Sequence, residues 1–180
     1  MGQSPVWYGN ELFLKGLRQY IAQAVTPSKG KKALGKAPHQ PDPEERKRIE
    51  MAAVRHAIHY YESVEGGNRI VKSVECDNEG WDLNVTAGTE TLRVEVKGLS
   101  GTAVSVELTP HEYELMQSAA IRATYVVYVV TQAGTPSPTS HVFYYHAERS
   151  RPKALVWQSR DGRTLKIEPR VAARLSADSL

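Results

Sequence analysis

In the stretch DLNVTAGTETLRVEVKG, residues 82–98, two acidic residues and a lysine have types and spacing that could do chemistry. Asp82 stands in a short apolar run, and thirteen positions later Glu95 and Lys97 follow, two apart in an alternating pattern. In an extended strand Leu92, Val94 and Val96 face one way, toward a core, and Arg93, Glu95 and Lys97 face the other. If the chain on either side of TAGTE closes as a hairpin, Asp82 and Glu95 converge at neighbouring strand positions. Two carboxylates so placed repel, raising a pKa by about a unit or more unless a cation sits between them. A hard ion such as Mg²⁺ or Mn²⁺ accepts carboxylates, waters and a backbone carbonyl such as that of Val96. Such an ion polarises a phosphodiester and activates a water. Lys97 would then orient that water or offset charge in the transition state. The plainer alternative is a cross-strand surface pair worth under about 1 kcal/mol.

The elements that must position these groups are legible around them. Asp42 can cap a helix, Pro43 suits its first position, and Glu44 and Glu45 favour its positive end. The helix runs to about Ser63 and stops at EGGN, with an apolar stripe of Ala53, Val54, Ala57, Tyr60, Tyr61 and Val64. Counting back one turn from Val54 and Ala57 puts Glu50 on that face. A carboxylate on a buried stripe needs a reason: another metal ligand is one, a pairing with a neighbouring Arg or Lys the other. Strands follow at 69–76, 80–86, 91–98 and 103–108, the second and third joined as a hairpin. Thr109 and Pro110 then open a helix. TYVVYVVT reads as a central strand covered on both faces, and HVFYYHA as another strand. ALVWQSRDGRTLKIEP reads as a terminal hairpin turning at Asp161-Gly162, before a last helix around 168–176. The expected architecture is α/β in the α+β sense, a mixed sheet with helices packed on it and further helices at the termini.

An Asp, a hairpin and then Glu-x-Lys, on a helix–strand–strand–strand–helix–strand core, resembles the PD-(D/E)xK restriction-endonuclease-like superfamily. More narrowly, GWDLNV…LRVEVKG…VELTPHEYELMQSA…TYVVYVV resembles the NO VEIN carboxy-terminal domain family, over about residues 44–132. The resemblance implies an αβββαβ core in which Asp82 and Glu95 hold a divalent metal, Lys97 assists the water and Glu50 reaches in from the preceding helix. It also implies a metal-dependent DNA nuclease, endonucleolytic, in bacterial restriction or defence. A helicase or ATPase partner, a fused domain or a homo-oligomer would complete it. The rival reading is a catalytically silent module that binds DNA or a partner protein. Trp81 stands where the superfamily motif has proline, and a Gln-x-x-x-Tyr signature is missing, since Gln117 is followed four residues later by Ile121.

Charge and composition place the rest. The net +3 is local: between residues 26 and 48, Lys29, Lys31, Lys32, Lys36, Arg46, Lys47 and Arg48 stand against Asp42, Glu44 and Glu45. That segment carries +4, leaving about −1 elsewhere, which is little for a body that grips nucleic acid alone. The expected organisation is a helical segment at 1–25, a basic Pro/Gly/Lys linker at 26–43 and the nuclease-like domain at 44–180. Cys76 is the single cysteine, no stretch approaches a membrane span, and the N-terminus lacks a signal region, so a cytoplasmic location is expected. His56 and His59 read as packing or solvated residues. Glu112, in the first turn of its helix, is explained by the helix dipole without chemistry. The tyrosines at 125, 128, 144 and 145 read as core, with base stacking as the alternative for any that face outward. Arg160 and Arg163, beside Trp157, make a candidate phosphate-contacting surface. If the lysines at 29, 31, 32 and 36 supply most phosphate contacts, deleting residues 26–41 flattens the dependence of DNA affinity on log[salt] by about 0.9 for each phosphate no longer neutralised. An unchanged slope assigns the binding to the folded body.

Overall fold

A computed structural model describes residues 42–169 and 173–177, the last five as backbone. Lys29, Lys31, Lys32, Lys36 and the expected helical segment at 1–25 lie outside the described residues. Helix α1 (Pro43–Glu62) has proline in its opening turn with Glu44 and Glu45, and Asp42 at the cap position makes no side-chain capping bond. Its buried side is Ile49, Ala53, Ala57 and Tyr61, every fourth residue of a narrow stripe. Val64, expected on that stripe, is 84 % exposed because the helix has already ended.

The strands β1 (Ile70–Ser73), β2 (Leu83–Ala87), β3 (Glu90–Gly98), β5 (Tyr125–Thr131), β6 (Thr139–Tyr145) and β7 (Trp157–Ser159) form one sheet in the order β1-β2-β3-β5-β6-β7. The β3–β5 pair is parallel and the others antiparallel, so the sheet is mixed and the fold α+β, as expected. The β2–β3 hairpin closes through two residues, Gly88 and Thr89, and Gly88 has φ +59°, the positive value that such tight loops require. Between β3 and β5 the chain makes β4 (Ser105–Leu108) and helix α2 (Pro110–Gln117). That crossover is what lets two parallel strands lie side by side.

Both faces of this sheet are covered. On one, α1 packs Ala53, Ala57 and Tyr61 against Leu83, Val85, Val94, Val126 and Tyr128. On the other, Val106, Leu108 and Met116 cover Tyr125, Val127, Val129, Phe143 and Trp157. All seven residues of β5 are buried, as its unbroken apolar run anticipates.

The C-terminal region differs from expectation. A tight turn does form at Asp161-Gly162, with Gly162 at φ +89°. Its two arms diverge, however: β7 joins the large sheet and β8 (Leu165–Glu168) a second one. The helix expected at 168–176 is instead strand β9 (Ala173–Ala177), lying between β4 and β8 in the order β4-β9-β8. Alanine and leucine favour helix locally, but β4 and β8 each offer a row of backbone groups that a strand between them pairs.

Gly98 ends β3 where α1 comes closest. A Cβ there would lie 2.8 Å from the Ile49 carbonyl oxygen and 3.0 Å from the Ala53 Cβ. The missing side chain thus sets the helix–strand distance and brings Glu50, next to Ile49, to the end of β3. Gly98→Val is expected to destabilise by about 1–3 kcal/mol through overpacking, read from urea unfolding midpoints. An unchanged midpoint would show that α1 can shift without cost.

Candidate functional site

Asp82 sits where β2 begins, and the ladder there slips by one residue. Leu83 pairs with Val94, yet the Asp82 N–H also reaches the Val94 carbonyl, at 3.0 Å. In β3 the backbone groups of Val94 and Val96 point to the β2 side, those of Arg93 and Glu95 to β5. The slip leaves the Val96 N–H beyond the strand, and the Asp82 Oδ2 accepts it at 2.7 Å. A side chain thereby replaces a strand partner for a backbone donor that could not be left unpaired.

Glu95 pairs in register with Val127, and Lys97 with Val129, so both share the face of the second apolar cluster. Glu95 is 3 % exposed, which excludes a solvated surface pair. The Lys97 Nζ lies 2.6 Å from the Glu95 Oε1 and 2.9 Å from the Glu112 Oε2. Glu112 is placed by local sequence. In Thr109-Pro110-His111-Glu112, the Thr109 side chain accepts the Glu112 N–H while the Glu112 Oε2 accepts the Thr109 N–H, a capping box that folds the carboxylate back over the helix start.

Five carboxylates (Glu50, Glu75, Asp82, Glu95 and Glu112) share a cavity of about 220 Å³ with Lys97. Burial is the main reason the Asp82 carboxyl is pushed up to about 6; the Val96 N–H and Lys97 oppose this, while Glu75 and Glu112 reinforce it. Burial likewise pushes Glu95 up, to about 8, against the pull of Lys97 and with the help of Asp82 and Glu112. Burial alone would lower Lys97, but the neighbouring Glu95 and Glu112 outweigh it and hold its pKa above the ordinary value.

Residues 49–145, more than half of the chain, match the family described as Protein NO VEIN, C-terminal. The chain belongs to that family. No curated protein and no solved structure matches it.

In this NO VEIN C-terminal domain the cavity is lined by oxygen donors of the kind a hard cation takes. Asp82 and Glu95 each keep one carboxylate oxygen outside the bonds above, and the Val96 carbonyl leaves β3 on the same side as its capped N–H. Among the described residues no group of three or more His, Cys, Asp or Glu side chains is gathered as a metal cluster. Lys97 stands instead against Glu95 and Glu112. Glu50 lines the same cavity but is exposed, not on the buried stripe. It follows Ile49 by one residue, and a step of about 100° turns it from the buried side to the flank. Glu112 and Glu75 were not anticipated as members of the site. The Thr-x-x-Glu box was a usable signal for Glu112, because it fixes where that carboxylate points.

The other singled-out residues sit elsewhere. Trp157 is fully buried and takes no part in a phosphate-contacting surface, and Arg163 pairs with Asp161 at 3.1 Å. Arg160 is exposed, its guanidinium 5.9 Å from the centre of the Tyr144 ring. The His56 Nδ1 lies 3.1 Å from the Tyr128 hydroxyl, a packing role. No helix among the described residues is long and apolar enough to cross a membrane.

The raised carboxyls make a stability prediction for metal-free protein. Glu95 binds its proton more tightly folded than unfolded, so its contribution is fully present below its ordinary value of 4.5 and is lost as pH rises through about 8. With a chelator present, wild-type urea midpoints should fall across that window. Glu95→Gln should flatten the profile and raise the midpoint at pH 8. Parallel profiles for the two proteins would refute the assignment.

Proposed function

We propose that this chain is a divalent-metal-dependent DNA nuclease of the PD-(D/E)xK kind, cutting endonucleolytically in restriction or defence. The observation that carries the reading is the meeting of Asp82, Glu95 and Lys97 in one cavity at the end of β3. The element order around that strand, and membership in the NO VEIN C-terminal family, support it. A hard ion such as Mg²⁺ or Mn²⁺, held by Asp82, Glu95, the Val96 carbonyl and Glu50 from the rim, would supply Lewis-acid polarisation of the phosphodiester.

The side chains divide the remaining tasks. Asp82 and Glu95, whose carboxyls are raised above all by burial, would ionise beside a bound cation and supply the charge that holds it. Lys97 carries a fixed positive charge, kept protonated by its two carboxylate neighbours. A phosphate reaching the cavity would meet that ammonium, which opposes negative charge developing on the phosphoryl oxygens. Since the basic residues concentrate at 26–48, DNA binding by the acidic-to-neutral body calls for that arm, a second copy, or a helicase or ATPase partner.

One observation favours a second reading. Lys97 is already bonded to two carboxylates, the arrangement expected of a catalytically silent module whose site is a structural ion-pair cluster. Plasmid cleavage with Mg²⁺ and Mn²⁺, beside metal titration of each variant, separates the two. Asp82→Ala should weaken metal binding and abolish cleavage, because a ligand is lost. Lys97→Ala should retain metal and slow hydrolysis by about 10²-fold or more. Glu50→Ala should give an intermediate loss. If wild type cuts no DNA with either ion, alone or with its partner, the binding-module reading replaces the nuclease.

A further inference from the structure

We infer that Glu112 is a positioning residue for Lys97, holding the ammonium at the site when Glu95 is no longer its partner. The inference rests on the nuclease reading for its catalytic consequence, but its geometry stands apart from it. One oxygen, the Glu112 Oε2, accepts both the Thr109 N–H and the Lys97 Nζ, each at 2.9 Å. The Glu112 side chain is 17 % exposed; its bond to Lys97 is partly buried, while the bond to the Thr109 N–H lies at the surface. Its backbone is fixed in turn by the return bond from its own N–H to the Thr109 hydroxyl. The start of α2 is thereby a rigid mount for a carboxylate aimed at β3.

The need for such a mount follows from what Glu95 has to do. Its Oε1 is 2.6 Å from Lys97, yet the same carboxylate is a proposed donor to a cation. A divalent cation on the free oxygen of Glu95 would share that carboxylate's charge with the ammonium and repel it, so Glu95 would hold Lys97 less firmly. Lysine is a flexible four-carbon stem with a strongly hydrated head. With one partner it would swing out to water once Glu95 turned to the cation. With Glu112 as second partner, outside the Asp82–Glu95 pair, it stays. A capping glutamate of purely structural purpose would need only the Thr109 bond.

Two substitutions pull the roles of Glu112 apart. Glu112→Gln keeps an oxygen for the Thr109 N–H and so keeps the cap, while removing the charge that holds Lys97. Thr109→Ala weakens the cap and leaves the Glu112 carboxylate in place. Both are made in a Glu95→Leu background, without metal, so that Lys97 has Glu112 as its remaining carboxylate partner and the apolar surroundings of residue 95 are respected. The measurement is the NMR order parameter of the Lys97 side-chain end, with thermal melting as the fold control. Lys97 should stay ordered in Glu95→Leu and in Glu95→Leu/Thr109→Ala, the latter melting lower. In Glu95→Leu/Glu112→Gln it should become mobile, with an order parameter below about 0.6, and the melting temperature should hold. Release of Lys97 by Glu95→Leu alone, or its retention in Glu95→Leu/Glu112→Gln, overturns the inference whether or not the protein cuts DNA. If it does cut, Glu112→Gln in the wild-type background should lower kcat at least about tenfold with Mn²⁺ affinity and KM within about threefold. An unchanged kcat overturns the positioning role. Absence of cleavage in wild type overturns the nuclease reading and leaves the order parameters to decide this one.

Discussion

A single ammonium, that of Lys97, sits between carboxylates of two different elements, Glu95 on β3 and Glu112 on α2. Around it the cavity gathers acidic side chains from α1, from the turn after β1 and from the start of β2. Without that cation, closing α2 over the sheet would press Glu112 toward Glu95 with nothing between them, and like charges at such range cost heavily in a shielded place. With it, two of the acids are bridged, and burial, reinforced by the neighbouring carboxylates, makes Asp82 and Glu95 keep their protons above the usual range. The fold tolerates the cluster because protons can stand in for cations.

The position of this cluster follows from two-sided burial. β3 lies inside the sheet, between β2 and β5, with α1 on one face and the β4–α2 layer on the other. A strand so enclosed admits charge only where a neighbouring element ends. β2 begins only at Leu83, one residue after the ladder slips, and there the Asp82 carboxylate takes over the Val96 N–H. Gly98 admits α1 at the same end, and the Thr109 cap starts α2 beside it. Three element termini therefore meet at one cavity, and two of them place a carboxylate by satisfying a backbone N–H, Asp82 that of Val96 and Glu112 that of Thr109. This is why the site is built of residues with structural duties as well as chemical ones.

Such double duty bears on how function is read. A fold hosts many activities, and an ion-pair cluster can be a structural remnant as readily as a catalytic centre. What argues for chemistry is the excess: one lysine suffices to pair one buried glutamate, whereas five carboxylates share this cavity. An acidic surplus beside a hard-donor carbonyl is what the proposed cation would offset.

Much of this was legible along the chain. Alternation in LRVEVKG placed Glu95 and Lys97 on one face of a strand, the TAGTE turn brought Asp82 back to it, and the apolar run of β5 announced a strand covered on both sides. These features are local, since each depends on residues within a hairpin's reach or on unbroken hydrophobicity. Tertiary structure alone decided the rest. It buried the face that carries Glu95, because β4 and α2 return over it from later in the chain. Backbone pairing with β4 and β8 made residues 173–177 a strand against their helical composition. Glu50 went to the rim because the stripe of α1 centres on Ile49, which only packing against Gly98 reveals. Glu112, still part of its helix cap, was also brought to Lys97, fifteen residues away in sequence and 2.9 Å away in space. Sequence specifies which groups are charged and how often they alternate; which of them lose their water depends on what the rest of the chain lays over them.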